Sequence, residues 1–164
     1  MTALSDNRSL DQVSTSALAI VQGGVDGGTH CYMGSSMAPL TGTGMLAIGG
    51  GVASTNACVG IATAEVNNST GADGATSVNL AQGLFRRVNS GTSPCVAATF
   101  GKVVYAEDDQ TVRIASGGSY PVLGIFLGFE ADGTTPLVYV SAVLGDLLSQ
   151  ATLESDLASV ANAL

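Results

Sequence analysis

The chain has 164 residues, a net charge of −8 at pH 7, 22 glycines, no tryptophan and only 11% charged residues. That length suits one domain and buries roughly 70% of the unfolded surface, so a core needs neither disulfides nor metals. With no basic run to pair with phosphates, and no apolar run near the roughly 20 residues of a bilayer span, nucleic acid and a membrane are both disfavoured as partners.

In chain order, residues 1–16 are polar, with Asp6, Asn7, Arg8, Asp11 and Gln12 and no consistent period. An extended arm is expected, and no apolar signal core is visible. A β domain follows over residues 17–143. Ala17 to Gln22 reads as its first strand, ended by Gly23-Gly24. Residues 23–51 are glycine-rich (GGVDGG, GSS, TGTG, GGG), a composition of tight turns and close backbone approaches. Ala57 to Val66 reads as a strand, and Asn67 to Gly71 as a loop.

Thr76 to Gln82 alternates, with Val78 and Leu80 on one face; Gly83 punctuates it and Leu84 to Val88 resumes. Val103 to Ala106 and Thr111 to Ile114 flank Glu107-Asp108-Asp109-Gln110, a tip of hairpin length. Pro121 to Glu130 and Leu137 to Val143 flank Ala131-Asp132-Gly133-Thr134, and Asp-Gly is a strong hairpin signal because both positions tolerate positive φ. Closely spaced strands without helical pattern between them predict an all-β fold, a small antiparallel barrel or sandwich.

From residue 144 the period changes. Gly145 and Asp146 can end the sheet and cap a helix, and Leu153, Leu157, Val160 and Leu164 recur as an apolar seam. A short C-terminal helix over 144–164 is expected. Its seam packs on its own subunit or against copies of itself around a symmetry axis, or else the segment frays.

Little in the chain points to catalysis or cofactor chemistry. Gly42-Thr43-Gly44-Met45-Leu46-Ala47 matches a dinucleotide fingerprint by letter, but Pro39 and a Thr/Gly loop stand where its strand should be. His30 is the single histidine, so a triad would have to combine it with Ser35 or Ser36 and with Asp26, and no nucleophile-elbow context surrounds them. A loop histidine without a catalytic task is the preferred reading. His30 and Cys31 lack the further ligands zinc needs, and Asp108, Asp109 and Asp132 read as turn residues rather than calcium ligands. Cys31, Cys58 and Cys95 are odd in number and far apart, and read as small buried apolar groups. No catalytic residue, cofactor or metal is expected. Basic residues are rare, so Arg86 and Arg87 stand out. In a strand they point to opposite faces, one toward solvent and the other toward an acid on the same or another subunit.

The order of an Asn-Asn pair, GADGA, a short strand, GLFRRVNS, a loop, GKVVYAEDDQTV and a strand ending in ADG resembles the cement or decoration proteins of tailed-phage heads. The resemblance covers Asn67 to about Val140. It implies a structural virion protein on the outer surface of the capsid, bound to the major capsid protein and clustered as a homo-oligomer, usually a trimer. A charge-poor surface fits burial by other subunits, and an acidic chain is expected outside a packaged genome rather than against it. On this reading Leu4, Leu10 and Val13 anchor the arm on a neighbour, Arg8 meets an acidic group on the shell, Arg86 and Arg87 are contact candidates, and Leu153, Leu157, Val160 and Leu164 are self-association candidates. The competing reading is a receptor- or glycan-binding domain of a phage head or tail fibre. The 5% aromatic content argues against that, since such sites need aromatic platforms. A small hydrolase built on His30 is the third.

Overall fold

The computed structural model describes residues 18–50, 57–117 and 120–142. The arm expected over residues 1–16 and the helix expected over 144–164 lie outside them.

The described residues form an all-β fold: twelve strands and one short 3-10 turn. The strands are β1 (Leu18–Gly24), β2 (His30–Cys31), β3 (Ser36–Pro39), β4 (Leu46–Ile48), β5 (Gly60–Ala62), β6 (Val66–Asn67), β7 (Ser77–Arg86), β8 (Val88–Asn89), β9 (Val103–Ala106), β10 (Thr111–Arg113), β11 (Val122–Phe129) and β12 (Pro136–Val140). The 3-10 turn is Ala97–Thr99.

Ten strands join one curled sheet in the order β4-β3-β5-β7-β12-β11-β9-β10-β8, with β1 added to β7, while β2 and β6 form a separate pair. Strand β7 is the spine. Its first half pairs with β1 and β5, and its second half, Gly83 to Arg86, pairs with β12. The expected break at Gly83 is absent: Ser77–Arg86 is one continuous strand. Gly83 sits within it at φ 137°, open to glycine and costly to other residues.

The strands β3 and β5 and the middle of β7, Leu80 to Gly83, are buried on both faces. Adjacent residues go to different cores: Ala38, Ile61 and Ala81 to one, Met37, Ala62 and Leu80 to the other. The larger core also takes Phe85, Val104, Val112, Leu123, Phe126, Val138 and Val140 from the rest of the sheet. The smaller one takes Val25, Cys31, Leu46 and Val78. Fully burying each large apolar side chain contributes on the order of 1.5–3 kcal/mol, so this double layer is the main source of stability.

Both predicted hairpins are present. Between β9 and β10, the Asp108 carboxylate accepts from Gln110 N, Thr111 N and the Thr111 hydroxyl at 2.9, 2.6 and 3.0 Å. Between β11 and β12, Gly133 alone takes a positive φ, 69°. Asp132 does not; it acts through its carboxylate, which accepts from Thr134 N, Thr135 N and the Thr135 hydroxyl at 2.9, 2.9 and 2.5 Å. Within Gly42 to Ala47, Gly42 to Met45 belongs to the β3–β4 connection, closed by Leu40 N to Met45 O at 2.8 Å and Gly44 N to Leu40 O at 3.0 Å, and Leu46 begins β4. A strand follows it rather than a helix, so the dinucleotide geometry is not built.

Candidate functional site

Of the residues singled out from the sequence, Leu4, Arg8, Leu10, Val13, Leu153, Leu157, Val160 and Leu164 lie outside the described residues. The two arginines at the end of β7 are described, and they part company. Arg86 ends β7 on its outer face and forms an ion pair with Glu130, Nε to Oε1 2.6 Å. Both side chains keep partial exposure, 39% and 28%, so water screens the pair and its contribution is small.

Arg87 is buried. Its guanidinium donates to the Gly34 carbonyl at 3.0 Å, to the Ser36 hydroxyl, and more weakly to the Asp109 carbonyl at 3.4 Å. Ser35 donates to the Asp109 carboxylate at 3.4 Å, and Ser36 N to the Asp109 carbonyl at 2.8 Å. Arg87, the 34–36 turn and the β9–β10 tip are thereby tied together inside the protein. The expectation of Arg87 at a surface contact is therefore corrected. Buried cations need several acceptors to offset lost hydration, and this one finds them in its own chain. Only Arg86 remains at the surface.

Beside Arg86, a shallow concavity of about 350 Å³ is lined by Arg86, Val88, Asn89, Glu130 and Thr134, among others. Its polar groups are largely engaged within the chain. The Asn89 amide donates to Cys95 O and accepts from Cys95 N at 3.1 and 2.8 Å, and Glu130 holds Arg86. This leaves a recess with one neutralised ion pair at its rim.

His30 Nε2 lies 2.9 Å from Glu65 Oε1, and its ring packs against Tyr32 with centroids 4.5 Å apart. Ser35 and Ser36 instead serve Asp109 and Arg87. The residues a hydrolytic triad would need therefore take different partners. Among the described residues, no group of three His, Cys, Asp or Glu side chains is placed to hold a metal, and no helix is long and apolar enough to cross a membrane.

Two polar anchors were not legible in the sequence. Buried Asn68 donates through its amide to the carbonyls of Val25, Asp26 and Ala72 at 2.9, 3.2 and 2.9 Å, pinning its own loop to the Val25-Asp26 segment. Glu107 is buried, accepts from the Thr92 hydroxyl at 3.3 Å and meets Arg113 Nη1 at 3.7 Å; the Arg113 guanidinium stacks 4.3 Å above Tyr120. An Asn in a loop and an acid at a turn are ordinary locally, and only the fold brings their partners in. No family model, curated protein or solved structure matches the chain.

Proposed function

We propose that the chain is a structural virion protein, a cement protein that binds the outer surface of a tailed-phage head and stabilises the lattice of its major capsid protein. What carries the reading is the segment Asn67 to about Val140, whose order of turns and strands resembles that family. This segment includes the spine β7 and the strands from β8 to β12, so the resemblance falls on the backbone of the fold rather than on a peripheral loop. The engagement of Arg86, Asn89 and Asn68 with partners in the chain, and a chain poor in charge, also suit a protein whose work is contact. The mechanism would be linkage: a clip that binds only the assembled lattice stabilises that lattice, and many weak contacts act together. Clustering as a trimer, where shell subunits meet, belongs to the same proposal.

The test is to mix the purified protein with undecorated heads, sediment them, and count bound copies while following the temperature at which the heads open. Saturable binding and a raised opening temperature are expected. No binding, or binding equally to free capsid subunits, would contradict the reading.

A further inference from the structure

Strand β1 completes the sheet with its backbone rather than with its side chains. It pairs with β7 from Leu18 opposite Gln82 to Gly24 opposite Ser77, and the ladder slips at a bulge between Leu18 and Val21. Val21 and Gln22 are exposed, and neither belongs to a core. Gly23 and Gly24 have no side chain to bury. Val25, one residue beyond the strand, is fully buried in the smaller core. On β7, by contrast, Val78 and Leu80 are buried. Buried backbone groups need hydrogen-bond partners, so this edge of β7 has to carry a strand.

The slot along β7 is selective at one end. A Cβ on Gly23 would stand 2.5 Å from Leu46 Cδ1, and one on Gly24 would stand 3.1 Å from Met45 Sδ and 3.2 Å from Gly74 Cα. A strand lying here in this register therefore needs two successive glycines, opposite Val78 and Ser77. Residues 18–24 of this chain, LAIVQGG, meet that requirement. Directly after Val25 the chain turns back: Thr29 N donates to Asp26 O at 3.2 Å, closing residues 26–29. Within that turn Gly28 has φ 84° and nothing stands within 4 Å of where its Cβ would be. Gly27-Gly28 is a hinge, because a glycine pair opens from a tight turn into an extended link without steric cost.

We propose that residues 18–25 are an exchangeable element, and that the edge of β7 over residues 77–82 is a binding site for the same strand of a second copy of this chain. With the 26–29 turn opened, the strand of one copy lies on β7 of the next, and the ladder made in cis is re-formed in trans. Main-chain hydrogen bonds hold the added strand, and the two glycines set its register. Reciprocal exchange closes a dimer and cyclic exchange a trimer. The inference gives copies of the chain a way to cluster, but it involves no head, so its failure leaves the shell reading untouched.

The experiment is cross-linking between two variants. Gln22 and Asn79 stand opposite each other and are exposed. Asn79 gives its carbonyl to Thr63 N at 2.9 Å on the β5 side. Opposite Gln22 it therefore belongs to a non-hydrogen-bonded pair, the closer kind, with Cα atoms about 4.5 Å apart and within disulfide reach. The three native thiols are buried and stay out of the reaction. Gln22→Cys protein is mixed with Asn79→Cys protein at high concentration, warmed below its Tm, cooled and oxidised. Gln22→Cys mixed with Thr134→Cys, exposed on the β11–β12 turn, measures chance collision. The double variant Gln22→Cys/Asn79→Cys checks the register within one chain. The expected result is a disulfide within the dilute double variant, and an interchain disulfide in the mixed pair at least about tenfold above the Thr134→Cys control, since a paired strand holds its thiols at a high effective concentration. The mass of the cross-linked product then tells a dimer from a trimer, and either upholds the inference. A mixed-pair yield no higher than the control, whether or not the double variant closes its own disulfide, would overturn it and leave β1 a fixed strand of its own chain.

Discussion

Arg87 donates to the Ser36 hydroxyl across 51 positions of sequence, and both residues are buried. The contact joins the end of the spine strand to the start of β3, on which the doubly buried layer is built. A buried guanidinium with several acceptors acts as a fastener, because losing it leaves those acceptors unpaired. Arg87→Met should destabilise the protein by about 2–4 kcal/mol, read as a fall in Tm of about 5–15 °C. Arg87→Lys should recover only part of this, since one ammonium cannot reproduce a planar fork. An unchanged Tm in Arg87→Met would show that the buried contacts contribute nothing net.

Asp132 supplies a pH dependence that is local to one hairpin. The Thr135 hydroxyl, then the Thr135 and Thr134 amides, hold its carboxyl well below the usual carboxylate range. A depressed folded-state value means the ionised form is favoured by folding. Its contribution is therefore fully present above the ordinary Asp range and is lost as pH falls through that range toward the lower folded value. Asp132→Ala should melt below wild type at pH 7, and the gap should narrow in acid. A gap independent of pH would show that the carboxylate charge is not what closes the turn.

The three cysteines are free and buried. Burial pushes the Cys58 thiol up to about 12 and the Cys95 thiol up to about 11, and it raises Cys31 as well. Folded protein should therefore resist thiol reagents at pH 8, while denatured protein releases three reactive groups. The sign for stability is opposite to that of Asp132. A raised folded value gives a contribution present below the unfolded thiol range, about 8.5, and lost as pH rises through the folded values. Prompt labelling of native protein would contradict the burial.

What was legible in the sequence was local. Asp108 and Asp132 announce their hairpins because turn chemistry acts over four or five residues. Val78 and Leu80 show their face because alternation is a property of one strand. The stretch from residue 25 to 50 hid its strands. In β3 and β5 both faces are buried, so Met37 beside Ala38 and Ile61 beside Ala62 break the apolar–polar alternation. Ala57 to Val66 contains two short strands, β5 and β6, because Ala62 ends one ladder before Val66 turns to pair with Cys31. The fates of Arg86 and Arg87 followed from opposite faces, but which one is buried depends on Gly34 and Ser36, far away in sequence. The row Leu84, Tyr139, Ile125 and Val103 was hidden for the same reason: its members come from four strands, and only the register aligns them.

The most direct test of the account is electron cryomicroscopy of heads saturated with the protein. The account predicts β-domain density on the outer surface, at the meeting points of shell subunits. Density confined to the inside of the shell or to a fibre, or heads that stay bare at saturating protein, would contradict it.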